Sequence, residues 1–159
     1  MVAQQYQLRK LQAKDNAIVA KIIRQVMTEF LCVGDGYSIN DAEVDDMHTA
    51  YAREKAAFFV LTREEEVIGC GGIAALEGGS GSICELKKMY FLPEARAKGH
   101  GRRLLKAARE LGYKTCYLET VNRMEAANKL YQKMGFKKLV GNMGDTGHGA
   151  CDTFYALDL

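Results

Sequence analysis

No Cys-x-x-Cys pair occurs in this 159-residue chain; its five cysteines, Cys32, Cys70, Cys84, Cys116 and Cys151, are scattered and odd in number. Three of them, Cys70, Cys84 and Cys116, fall in apolar strand-like runs, where a free thiol packs as a small hydrophobe, so a reducing, cytoplasmic compartment is expected. An excess of one charge is also missing. The formal net charge is +2, and basic residues are interleaved with acids except around Lys98 to Arg109, which argues against broad nucleic-acid binding. No uncharged run approaches bilayer-spanning length, and the start Met1 to Tyr6 lacks a basic stretch followed by an apolar one. Neither a membrane segment nor a targeting leader is therefore expected. Proline occurs once, at Pro93, and neither a repeat nor a linker divides the chain. What is present is a hydrophobic content of 48%, enough for one domain over residues 1–159 with a real core, and too little chain for two ordinary domains.

The periodicities alternate between two and 3.6. Tyr6 to Leu11 reads as a first strand, after which Asp15 is placed to cap a helix bearing Ile18, Ile22, Ile23, Val26, Met27 and Phe30. The glycines of Val33 to Asn40 mark a loop that carries Tyr37, and Asn40 or Asp41 should open a second, more polar helix running to about Arg53. Ala57 to Thr62 and Val67 to Ala75 form a hairpin across Glu64 to Glu66, and Ile83 to Leu92 is a third strand ended by Pro93. Leu104, Leu105, Ala108 and Leu111 then stripe a helix that stops at Gly112. Lys114 to Thr120 reads as a strand, Met124 to Met134 as a helix stopped by Gly135, and Phe136 to Val140 and Thr153 to Leu157 as closing strands around a glycine-rich loop. The class expected is α+β, with a mixed, mostly antiparallel central sheet flanked by about four helices.

The sharpest feature is Arg96-Ala-Lys-Gly99-His-Gly101 between the third strand and its helix. Free N–H groups and the helix dipole make such a turn a ready anion site. A bare Gly-x-Gly is also compatible with a tight turn alone. A dinucleotide fold is a further reading, since Glu119 ends a strand at about the distance expected of a ribose-binding acid. Against it, Leu104 occupies the third glycine position and a hairpin precedes the turn.

Leu86-Lys-Lys-Met-Tyr-Phe-Leu-Pro-Glu-Ala-Arg96-x-x-Gly99-x-Gly101 resembles the acetyl-coenzyme A motif of the GNAT superfamily of N-acetyltransferases, and Ala127-x-x-Leu130-Tyr131-x-x-x-Gly135-Phe136 is similar to that family's second motif. The resemblance implies a GNAT-like fold and transfer of acetyl from acetyl-coenzyme A to a primary amine by direct attack. It implies that the backbone of Ala97, Lys98, Gly99, His100, Gly101 and Arg102 holds the pyrophosphate, that Met89 and Phe91 pair with the pantetheine as an added strand, and that Tyr90 and Arg96 belong to the same cofactor site. The family often carries Asn seven residues before the tyrosine, where this chain has Met124.

Acetyl transfer needs a proton for the departing thiolate, a proton acceptor for the amine and stabilisation of negative charge on the carbonyl oxygen. The resemblance assigns the acid role to Tyr131, a phenol that is protonated at neutral pH. Glu85, on the strand before Met89, is the first candidate base, and Glu119 the second. Tyr37, Glu119 and His148 are expected around the acceptor, a small-molecule or peptide amine. His148, Cys151 and Asp152 match no closed zinc pattern, so no metal is expected. A non-catalytic acyl-coenzyme A sensor is the rival reading, and a homodimer through sheet edges is compatible with the fold.

Overall fold

The computed structural model describes residues 5–159; Met1 to Gln4, part of the start read for targeting, lie outside the described residues. Seven strands form one sheet: β1 (Tyr6–Lys10), β2 (Ala57–Arg63), β3 (Glu66–Ala75), β4 (Ile83–Phe91), β5 (Thr115–Thr120), β6 (Lys137–Lys138) and β7 (Thr153–Asp158). Their order is β1-β2-β3-β4-β5-β7-β6. Every neighbouring pair is antiparallel except β4 and β5, which run parallel at the centre. Among the described residues four α-helices accompany the sheet: α1 (Asn16–Glu29), α2 (Met47–Ala50), α3 (His100–Glu110) and α4 (Glu125–Lys133).

Two apolar layers follow from period-two alternation along the strands. On one face α1 buries Val19, Ile22, Ile23, Val26 and Met27, a single helical stripe, against Phe58, Val60 and Cys70. On the other face α3 and α4 lay Leu104, Leu105, Ala108, Tyr131 and Met134 over Cys84, Leu86, Cys116 and Leu118. Residues between these on the central strands, Glu85, Tyr117 and Glu119, consequently turn to the α1 side. Both α3 and α4 end in the same way: the Tyr113 and Phe136 N–H groups reach back to the Ala108 and Tyr131 carbonyls, while Gly112 and Gly135 bond to Arg109 and Gln132.

Three local expectations are corrected. The polar helix expected up to Arg53 is broken into 3-10 turns at Ser38–Asn40 and Ala42–Asp45 followed by the one-turn α2, because Asp41, Glu43 and Asp46 commit their carboxylates to tertiary or capping contacts. Asp15 does not cap α1 with its side chain; its carboxylate accepts from Arg9 at 2.7 Å and from the Gln12 N–H at 2.8 Å, and the ion pair holds it below the usual carboxylate range. The strand expected from Phe136 to Val140 shrinks to Lys137–Lys138, and Val140 is fully exposed.

Close seating of α3 on β3 depends on Gly71, where an added Cβ would lie 2.5 Å from Leu104 Cδ1 in the core. Replacing Gly71 with Val should destabilise the fold by about 1–3 kcal/mol, the usual cost of overpacking. Urea unfolding measures this; an unchanged midpoint would mean that α3 does not sit as described.

Candidate active site

The site begins where two strands part. β4 and β5 pair at Ile83 with Thr115, Cys84 with Cys116 and Glu85 with Tyr117, and there the pairing stops, although β4 runs on to Phe91 and β5 to Thr120. A bulge in β4 accompanies the separation: Cys70 faces Tyr90 and Gly72 faces Lys87, so Lys88 and Met89 together oppose Gly71. Lys88 takes the left-handed conformation with φ 52°, a state that a non-glycine residue adopts at a cost.

Two cavities meet at this wedge. The larger, about 450 Å³, runs from Met89, Tyr90 and Phe91 past Arg96, Ala97, Gly99, Gly101 and Arg102 to Lys133 of α4. The smaller, about 60 Å³, is lined by Glu85, Glu119, His148 and Tyr37. Met89, Tyr90, Met124 and Tyr131 line both. Tyr131 is thus the shared wall, anchored by ring contacts with Phe136 at 6.1 Å and Tyr155 at 5.8 Å. No hydrogen bond from the described residues reaches its hydroxyl. Burial, reinforced by Tyr155 and Cys151, raises its pKa to about 12, so the phenol keeps its proton across the neutral range.

The turn at the end of the larger cavity is built for close approach. Ala95 and Arg96 spend their N–H groups on Leu92 and Pro93 carbonyls, whereas no described backbone bond is donated by Ala97, Lys98 or Gly99. His100, Gly101 and Arg102 add the unpaired donors of a first helical turn, and α3 has no side-chain cap. Gly99 sits at φ 79°, and a Cβ on Gly101 would fall 3.3 Å from Met134 and 3.4 Å from the Met89 sulfur. Side chains here have other work. The Arg96 guanidinium bonds the Phe91 carbonyl at 2.9 Å and forks onto Glu29 at 2.8 and 3.0 Å, fastening the turn to α1. Lys98 lies over the Tyr6 ring, Arg102 bonds the Lys133 carbonyl at 2.9 Å, and the His100 ring is buried against Tyr6 and Phe91 with no partner for Nε2. Lys98 and His100 therefore do not line the groove with their side chains.

In the smaller cleft one ligating atom each from Glu85, Glu119 and His148 lies within 4.8 Å of the others. Glu119 is held on both oxygens, by Tyr117 at 2.6 Å and by the Thr146 hydroxyl. His148 Nε2 meets Asp41 at 2.9 Å, which leaves Nδ1 facing Glu119 at 3.8 Å. Tyr37 is clamped by Arg123, whose Nη2 lies 3.0 Å from the phenol oxygen and 2.7 Å from the Leu31 carbonyl. Glu85 differs from its neighbours. It is 5% exposed and no described residue donates a hydrogen bond to it. Burial raises its pKa to about 7; Lys87, His148 and Lys88 oppose that shift and the Glu119 charge adds to it.

Five residues that sequence reasoning passed over complete the site. Lys88 Nζ is bound by Asp41 at 2.8 Å and Glu43 at 2.6 Å, with its side chain 1% exposed. Burial works against ionisation of Asp41, but the hydrogen bonds from His148 and Lys88 outweigh it and hold the carboxyl at about 2. Tyr117 and Thr146 orient Glu119. These pairings span up to 107 positions, and the only local trace is the acidic run Asp41 to Asp46. Asn128, near the position where Met124 stands, is occupied structurally by the Val121 and Met124 carbonyls and the Tyr155 hydroxyl.

The same architecture occurs in solved acetyltransferases. A GNAT-family acetyltransferase from Staphylococcus aureus Mu50 superposes with a TM-score of 0.82 over 97% of this chain and 99% of its own, at 17% identity. The yncA protein of Salmonella typhimurium, solved with its cofactor acetyl-CoA, gives 0.72 over 97% and 94% at 20% identity. These define the class of fold, an acetyltransferase fold. Residues 54–138 match the acetyltransferase (GNAT) domain, and the uncharacterized N-acetyltransferase YjgM of Escherichia coli K12 is 41% identical over 150 residues, covering 91% of this chain and 90% of its own. An IAA acetyltransferase of Azospirillum brasilense is 38% identical over 109 residues, 65% of this chain and 69% of its own. The chain belongs to the GNAT family and is an N-acetyltransferase of that family. Among the described residues no helix is long and apolar enough to cross a membrane.

The Glu85 carboxyl makes a stability prediction that is independent of activity. Its folded pKa of about 7 exceeds the ordinary 4.5, so between these values the folded state binds more protons and stability falls as pH rises. Glu85→Gln should therefore match the parent near pH 4 and exceed it by roughly 2–4 kcal/mol at pH 8. Denaturant titrations at both pH values check this, and a pH-independent difference would contradict the assigned burial.

Proposed function

We propose that this enzyme transfers acetyl from acetyl-coenzyme A directly to a primary amine, with Tyr131 as acid and Glu85 as base. The observation that carries the reading is the wedge between β4 and β5, at which the phosphate-type turn, Tyr131 and the carboxylate cleft converge. The residues present fit the thioester donor: a groove of about 450 Å³, unspent N–H groups from Ala97 to Arg102, and a Gly101 position that a side chain would fill. The acetyl-CoA held by yncA supports the same choice. Bound acetyl-coenzyme A supplies an activated acyl group on a thiol leaving group.

The chain's own residues divide the remaining tasks. The turn holds the diphosphate through backbone N–H groups reinforced by the α3 dipole. The unpaired edge of β4 from Met89 to Phe91 accepts the pantetheine as a further strand. The Met89 N–H, at the bulge, polarises the acetyl carbonyl. Glu85, ionised above about pH 7, takes the amine proton at its carboxylate, directly or through water in the cleft. Tyr131, protonated throughout, gives its phenolic proton to the thiolate sulfur. His148, Glu119 and Tyr37 shape the acceptor mouth. An acyl-cysteine route is disfavoured because Cys84 and Cys116 are fully buried, and Cys151, which lines the cleft, has its thiol pushed up to about 12, chiefly by burial. The acceptor is a small molecule or peptide whose amine fits the narrow cleft. A non-catalytic sensor has less support, since the cleft opens beside both Tyr131 and Glu85.

Incubation with acetyl-coenzyme A and a panel of amines should release free thiol above background; no release with any amine would count against the reading. With an accepted amine, Tyr131→Phe should lower kcat by about 10²-fold or more, the scale of a positioned acid, with coenzyme A affinity nearly unchanged. The parent rate should fall as pH drops through about 7 as Glu85 takes up a proton, and Glu85→Gln should flatten that limb. A limb of equal slope in Glu85→Gln would remove Glu85 as base.

A further inference from the structure

We propose that Lys88 is a positioning residue for catalysis: its ammonium keeps β4 in the bulged register that presents the Met89 N–H to the acetyl carbonyl. This rests on the role of Met89 given above. The argument starts from alternation. In a regular strand, the face of Cys84 and Leu86 would recur at residue 88, placing the lysine in the apolar layer beneath Leu104 and Tyr131. The extra residue of the bulge instead sends two successive lysines to the α1 side, where Lys87 and Lys88 both reach Glu43 Oε1, at 3.4 and 2.6 Å. The regular register would bury an unpaired ammonium in the apolar layer and take from Asp41 and Glu43 their closest partner, leaving them His148 and Lys87, which disfavours it. The bulged register satisfies all three charges and offsets the left-handed φ at Lys88.

Other contacts fix the same residue. The Cys70 thiol donates to the Lys88 carbonyl at 3.4 Å, so the backbone is held on the β3 side as well. Asp41, which binds Lys88, also binds His148 of the acceptor mouth, and Glu43 is further approached by the Tyr51 hydroxyl at 3.5 Å. Lys88 thereby ties the geometry of the carbonyl site to the two segments that border the acceptor. With its side chain 1% exposed and bound by Asp41 and Glu43, Lys88 acts through the backbone and not by touching a reactant.

The test uses acetyl-coenzyme A labelled with ¹³C at the thioester carbonyl and needs no amine. Infrared difference spectra of the bound label should show the carbonyl stretch displaced to lower frequency in the parent and returned to its free value in Lys88→Met. Lys88→Arg should retain most of the displacement. Because Lys88→Met removes the closest partner of both Asp41 and Glu43 and can unfold the protein, the same substitution is also made together with Asp41→Asn and Glu43→Gln. That triple variant should bind coenzyme A within about 3-fold of the parent by calorimetry, yet lack the displacement and lose on the order of 10²-fold in kcat with any accepted amine, the size seen when one such donor is lost. A full displacement in the folded triple variant overturns the role of Lys88 alone. No displacement in the parent overturns the role of Met89, and the inference with it.

Discussion

Everything at this site depends on β4 leaving β5. Parallel pairing needs both strands regular, and it ends at Glu85 and Tyr117 because β4 acquires an extra residue within the next few positions. One strand then serves three purposes. Its first half closes the apolar layer through Cys84 and Leu86, its middle offers Glu85 to one cavity, and its freed edge borders the other. Tyr131 is useful because the gap lets a residue packed on the α3 and α4 side reach through to the α1 side. A continuous sheet would separate Tyr131 from Glu85.

The charges around the gap are arranged unequally, and the inequality carries the chemistry. Lys88, Asp41, His148, Glu119 and Glu43 form a connected set in which every member has a partner within 4.0 Å. Such a set adds little net stability once desolvation is counted, and its central members keep a second partner when one is removed: Asp41 has Lys88 and His148, Glu43 has Lys87 and Lys88. Glu85 stands beside this set without joining it. Its carboxyl is therefore the group whose proton affinity the environment moves furthest toward neutral pH, whereas the less buried Asp41 is pulled the other way by the hydrogen bonds it accepts from His148 and Lys88.

Much of the fold was legible because it rests on local signals. The stripe of α1, the Gly112 and Gly135 stops, the hairpin of β2 and β3 and the Arg96 to Gly101 turn each depend on spacing within a few residues. The unspent N–H groups at the start of α3 were legible for the same reason, since they need only a turn and a glycine. The side-chain contacts of that turn were not legible: the Arg96 guanidinium is committed to Glu29, 67 positions away, which no local pattern records.

By itself, the sequence determined the α+β class, the strand order along β2 to β4, the glycine turn that opens α3 and the tyrosine near the end of α4, because hydrophobic period, glycine position and helix ends are properties of neighbouring residues. Only the tertiary structure decided where β4 bulges, that Lys88 turns toward Asp41 and Glu43, and that Asp41 and His148, 107 positions apart, share a hydrogen bond. A bulge is chosen by the difference between two registers. That difference depends on which charges and apolar side chains wait on each face of the sheet, and those arrive from elsewhere in the chain.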